Sequence, residues 1–348
     1  MSASTSDRLR RALVRMPAPL LGERARDRVL AFSNAVCPDV DLVYVEYRIS
    51  SDTADQVDVS LSAAGLAARA ALADHVRQLA ASGAAGWEAA AGCLTHWATR
   101  GTDEARTLRA ACLEYDLDLE GTPSAEPSLF FNAHELSHAW DRTRTLRGLC
   151  RALAWFVGER AHSLSGPLES VLAALPTNFH LAHLGFMIPR PDESLRFCLA
   201  LPSPELGAFL QRVGWGGSLA GVRDFVALAE RSGWVSIALG IGRGGAHPRL
   251  GIEAPVQGHP GGAPALIAAL LERGSCTVAK AEALGALLAA APPGDRYELS
   301  HAKLVITASG ALEAKAYVTL ARDEAAMGRL AAIRQIRARA AQAMPAAG

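Results

Sequence analysis

The sequence predicts an α+β fold: a closed ten-stranded antiparallel β-barrel built from repeated ββαα units and ringed by α-helices. Three observations lead there. Stretches that alternate with period two and carry β-branched or aromatic residues come in pairs, each joined by a short turn. Alanine-rich stretches of helical period follow the pairs. Ten twisted strands that enter a sheet as antiparallel hairpins are satisfied most simply by closure, which removes exposed edges.

Residues 1–41 are expected to form an N-terminal helical segment, and 42–348 a single barrel domain. The first strand pair is Leu42–Ile49 and Gln56–Ser62 across the polar turn Ser50–Asp55. Helices Ala63–Ala81 and Trp87–Thr99 follow, separated at Ser82-Gly83. The second pair is Ala111–Glu120 and Ser128–Ala133, with helices at about Ser137–Glu159 and Pro167–Leu175. The third is Phe179–Ile188 and Ser194–Leu201, turned by Pro189, Pro191 and Asp192, with helices Pro204–Val213 and Leu219–Arg231. The fourth is Trp234–Ile241 and Pro248–Val256 across a glycine-rich turn, with helices Ala263–Arg273 and Val278–Ala290. The fifth is Glu298–Thr307 and Leu312–Leu320, closed by a helix over about Asp323–Met344.

Successive strand residues point to opposite faces, so the apolar phase of each strand is assigned to the helix shell and the other phase to the lumen. The lumen phase holds Tyr44, Glu46, Arg48, Asp58, Ser60, Glu114, Asp116 and Asp118 from the early strands. The middle strands add Ser128, Phe130, Asn132, His183, Met187, Arg196, Cys198 and Ser236. Arg249, Glu253, His301, Lys303, Thr307, Glu313, Lys315, Tyr317 and Thr319 complete it. Charges are seldom buried without partners or a ligand, so a lumen lined this way reads as a solvated binding or reaction chamber.

Composition narrows the function. The 35 Lys and Arg balance the 35 Asp and Glu, so the chain lacks the surplus of positive charge that nucleic-acid binding draws on. No apolar run reaches the roughly 18 residues that span a bilayer, and Met1–Gly22 has no secretory apolar region, so a cytoplasmic protein is expected. The six cysteines are too dispersed for a zinc cluster or a disulfide framework.

Acids dominate the early lumen strands, whereas Arg196, Arg249, Lys303 and Lys315 come from the later ones, so closure is expected to gather the bases on one wall. Arginine forks and lysine ammonium groups around a tyrosine hydroxyl suit a pyrophosphate, whose growing charge they stabilise as it leaves. A carboxylate opposite could orient or deprotonate a nucleophilic acceptor. The competing reading is an internal salt-bridge network that fills the barrel.

Two local segments add a resemblance. Val45-Glu46-Tyr47 is similar to the Ile/Val-Glu-Tyr/Leu segment, and Lys315-Ala316-Tyr317 to the Lys-x-Tyr pairs, of the ABBA-fold aromatic prenyltransferases, particularly the indole prenyltransferases of the dimethylallyltryptophan synthase type. The resemblance implies that Glu46 contacts the acceptor N–H and that Lys315 and Tyr317 point at the diphosphate. Arg196, Arg249 and Lys303 match the family's other basic lumen positions by strand phase. It implies an allylic diphosphate donor, an aromatic or peptide-borne acceptor, and no required cofactor. Glu114, Asp116 and Asp118 are unusual for the family, and have the oxygen chemistry to hold Mg²⁺ on a phosphate or to meet a cationic or peptide acceptor. His183 and His301 are candidate acid/base groups or polar lining.

A rival motif is His134-Glu135-Leu136-Ser137-His138, a formal H-E-x-x-H with Glu159 as third ligand, which on a helix would make a zinc-dependent hydrolase. Its position directly after a strand argues for a helix N-terminus with surface histidines instead, and zinc is expected to be absent. A third reading is a barrel of a natural-product, peptide-modifying pathway with other chemistry or a pure binding role. Gly240-x-Gly242-x-Gly244-Gly245 joins two strands and is expected to be a hairpin rather than a phosphate loop.

Overall fold

The computed structural model describes residues 4–35, 37–83, 87–117, 126–132, 142–157, 161–189, 195–231, 233–242, 244–290, 297–307, 309–310, 312–326 and 328. Helices α1 (Thr5–Arg15) and α2 (Glu23–Ala35) precede strands β1 (Leu42–Arg48) and β2 (Val57–Ala63). Then come α3 (Leu66–Ala81), α4 (Trp87–Ala98), the short α5 (Asp103–Thr107), β3 (Ala111–Leu117) and β4 (Ser128–Asn132). Helices α6 (Arg142–Val157) and α7 (Ala161–Ala174) lead to β5 (His180–Phe186) and β6 (Leu195–Pro202). After α8 (Leu206–Arg212) and α9 (Leu219–Ala229) come β7 (Trp234–Gly242), β8 (Gly245–Pro255), α10 (Gly262–Glu272), α11 (Val278–Ala289), β9 (Tyr297–Ile306) and β10 (Leu312–Ala321).

The ten strands form one closed barrel in which every neighbouring pair is antiparallel and β10 pairs with β1. The face assignment holds where it matters most. Val43, Val45, Tyr47, Val57, Val59, Leu61, Leu113 and Leu117 are fully buried between sheet and helices, and each such side chain contributes roughly 1.5–3 kcal/mol by leaving water. Apolar residues of α1 and α2, among them Leu9, Leu13 and Val29, belong to the same core as the barrel. Caps set the helix starts. Ser4 accepts the Asp7 N–H at α1, and Thr277 accepts the Lys280 N–H at α11.

Several boundaries differ from the sequence expectation for identifiable reasons. α7 begins at Ala161 rather than at Pro167, which lies inside the helix. A proline there removes one backbone bond. Burial of Leu164, Leu168, Val171 and Leu172 against the core outweighs that loss. The expected helix Pro204–Val213 splits into a 3₁₀ turn, Ser203–Glu205, followed by α8. α5 was not foreseen; Thr102 caps it by accepting the Ala105 N–H. The glycine-rich segment is a hairpin, with Gly242 opposite Gly245. Asp118, His134, His138, Glu159 and most of the expected C-terminal helix lie outside the described residues.

Candidate active site

A cavity of about 180 Å³ lies in the barrel interior. Of the sequence-predicted site residues, Glu114, His183, Arg196, His301, Lys303 and Tyr317 line it together. Three groups of side chains among the described residues set the character of the interior.

The first group lies toward the end where β1 turns into β2. Antiparallel register sets Glu46 opposite both Asp58 and Tyr317, and Arg48 opposite Lys315. Arg48 is the hub: it binds Glu46, Asp58 at 2.8 Å and Glu313 at 2.6 Å. The Lys315 ammonium lies 2.6 Å from Glu46, 3.6 Å from Glu313 and 4.0 Å from Asp58. Arg249 reaches Glu313 at 2.6 Å from the rim, where its side chain is 51% exposed. Burial alone would raise Glu46, but Lys315 and Arg48 outweigh it and hold the carboxyl well below the usual range. Burial and the neighbouring Glu46 charge push Asp58 well above its usual range, so Asp58 keeps the proton and Glu46 the charge.

The bases therefore do not gather on one wall as expected. Closure of β10 onto β1 interleaves Lys315 with the early-strand acids, and Arg249 sits apart at the rim. Neither Glu46, Lys315 nor Arg249 lines the cavity.

The second group is the polar wall. His301 and Tyr317 stack with centroids 4.2 Å apart and rings 14° from parallel. Burial and the charges of Glu46 and Glu114 push the Tyr317 phenol well up, so it keeps its proton and can donate. Arg196 faces Glu114 at 3.8 Å. Lys303 is the register partner of Glu253, and both line the cavity. Asp116 is the register partner of Asp58. Among the described residues, no group of three or more His, Cys, Asp or Glu side chains is placed to hold a metal ion.

The third group is an apolar corner of Phe130, Ala182, Met187, Cys198 and Ala238, with Cys112 against it. The Phe130 ring covers Gly185, its register partner on β5; a Cβ there would sit 2.4 Å from the ring.

Sequence reasoning missed some of this. Arg48, Asp58 and Glu313 were placed in the lumen, but only register reveals them as one network. Ser300 enters the lining beside His301 through a bulge in the β9–β10 ladder, which a strict period of two does not foresee. Asp41 and Ser62 also line the cavity, at the end of the first hairpin away from its turn.

No family model and no curated protein matches the sequence. Solved structures do match the fold. The prenyltransferase PriB superimposes with a TM-score of 0.62 at 14% identity, covering 92% of this chain and 96% of that one. NotF, solved with brevianamide F and DMSPP, gives 0.58 at 11% identity over 91% and 95%. The 5-dimethylallyl tryptophan synthase from Streptomyces coelicolor, solved with DMASPP and Trp, gives 0.54 at 14% identity over 91% and 95%. At these identities the likeness is one of architecture: the chain is built on the closed ABBA barrel of aromatic prenyltransferases.

Proposed function

We propose that the protein transfers an allylic group from a diphosphate donor to an aromatic acceptor, either a small molecule or a peptide-borne side chain. The supporting observation is a single chamber in which Arg196 and Lys303, the stacked His301 and Tyr317, and the apolar corner around Phe130 face one another. The ligands named for the NotF and Streptomyces coelicolor structures support the same donor and acceptor classes.

In this reading Arg196 and Lys303 hold the diphosphate, and the Tyr317 phenol donates to one of its oxygens. The allylic C–O bond breaks and its electron pair leaves on the diphosphate, whose growing charge the two cations stabilise. Phe130 and the His301–Tyr317 stack shield the allyl cation, since the negative face of a π-system attracts positive charge. An aromatic carbon attacks, and loss of its proton restores the ring. Glu114, which lines the chamber, takes or relays that proton. Glu46 acts one step removed as the buried charge beside Tyr317; direct contact with an acceptor N–H requires Lys315 to give way. Lys315 and Arg249 serve the donor by shaping the positive field from beneath and from the rim. His183 orients the acceptor. Mg²⁺ is not required where Arg196 and Lys303 balance the diphosphate.

The test is to incubate the protein with dimethylallyl and geranyl diphosphates and a panel of indoles, phenols and Trp-containing peptides, with and without EDTA. Prenylated product by mass spectrometry and equimolar pyrophosphate are expected. Pyrophosphate release without product, or no turnover across the panel, counts against the reading. A binding-only role is the second reading, favoured by the ion network that already satisfies Arg48 and Lys315.

A further inference from the structure

We propose that Gly251 is a positioning residue: it opens the trough in which the Lys303 side chain lies, and so fixes the ammonium where a diphosphate is bound. The proposal rests on the prenyl-transfer reading and deepens it.

Lys303 stands on β9 opposite Glu253 of β8, but its stem leans along the sheet to the next inward-facing position of β8, Gly251. A Cβ at Gly251 would sit 2.4 Å from Lys303 Cε and 3.5 Å from its Cδ, and 3.3 Å from the Cβ of Ala238 on β7. The trough is thus floored by bare backbone and edged by a methyl group, and any larger residue at its floor displaces the lysine. Backbone conformation does not explain this glycine. Gly251 is not among the positive-φ glycines, so its backbone accepts any L-residue and only the space is special.

Lys303 differs from the other interior cations. Arg48 and Lys315 are each held by several acids, and Arg196 faces Glu114. Among the described residues Lys303 has no acid within ion-pair distance, and the charge of Glu46 acts on it from farther away. Among the described residues, an incoming diphosphate meets Lys303 without first breaking a close ion pair, provided that the ammonium is held in place. An untethered lysine must order its stem on binding, which weakens the contact.

The experiment is calorimetric titration with inorganic pyrophosphate and with dimethylallyl S-thiolodiphosphate. Wild type is compared with Lys303→Ala, Gly251→Ala and the double variant, with melting temperatures measured alongside. Lys303→Ala is expected to bind about ten- to a hundredfold more weakly. Gly251→Ala should reproduce part of that loss with a little-changed melting temperature, because its closest contact is the far end of a flexible side chain and the Ala238 methyl at 3.3 Å has only a few tenths of an ångström to give. The double variant should bind no worse than Lys303→Ala. Wild-type affinity in Gly251→Ala, or additive losses in the double variant, overturns the proposal. Tight pyrophosphate binding with this pattern but no prenyl transfer overturns the parent reading alone. A wild type that binds neither probe overturns both.

Discussion

Lys315→Ala separates an internal network from a ligand-binding cation. In the structure the Lys315 side chain is 13% exposed and its ammonium is shared by Glu46, Glu313 and Asp58. Removing it leaves the 5%-exposed Glu46 carboxylate with Arg48 as its remaining close cation, and Arg48 already serves Asp58 and Glu313. Stranding a buried charge costs about 3–5 kcal/mol, and the low end applies where a second cation remains. At roughly 2 °C per kcal/mol for a chain of this size, the melting temperature should fall by about 6 °C. Arg249→Ala is the control: its partly exposed pair with Glu313 is worth under about 1 kcal/mol. Lys315→Met with Glu46→Gln should lose less than the sum of the single variants, because both charges leave together. The assay is thermal and urea unfolding of the wild type and the five variants, with pyrophosphate titration in parallel. A melting temperature for Lys315→Ala no lower than that of Arg249→Ala, together with weakened pyrophosphate binding, would refute the network as drawn and make Lys315 a donor ligand.

Two further predictions concern the same interior. Glu46 is depressed, so its stability contribution is present above the ordinary carboxylate range and is lost as pH falls; Asp58 is raised, so its contribution is present at low pH and lost as pH rises through its folded value. Urea midpoints against pH should therefore pass through a maximum, and Asp58→Asn should flatten the upper arm; an unchanged upper arm contradicts the assignment of the proton to Asp58. Gly185→Ala should be destabilised by about 1–3 kcal/mol, because the Phe130 ring 2.4 Å from the new Cβ is rigid and boxed in by the apolar corner. A Phe130→Leu background should relieve most of that loss, and equal losses in both backgrounds would show that the ring is not the obstacle.

The barrel was legible because closure satisfies hairpins that have no other partner, and because period two separates shell from lumen residue by residue. Tyr44, Ser60, Glu114, Asn132, Arg196, Glu253 and Tyr317 fall on the predicted face and line the cavity. What stayed hidden depends on distance along the chain and on irregular register. Nothing local marks Lys315 as the neighbour of Glu46, because that contact follows from which strands meet at the seam. Ser300 is turned inward by a one-residue slip that alternation cannot contain. The glycines beneath Phe130 and Lys303 read as ordinary strand-weakening residues until the side chains lying over them are seen.

The seam between β1 and β10 joins residues 269 positions apart, Glu46 and Lys315. Such a contact cannot form until the chain has been made through Lys315, and the entropy of closing the 269-residue loop must be met first. Until then β1 presents an unpaired edge and the acidic pair beside it has no Lys315 to share its charge, so the nascent chain is exposed to edge-to-edge association. The last strand is thus what turns a curved open sheet into a vessel. Substitutions along the seam should speed unfolding far more than they slow folding, because their contacts are among the last to be made.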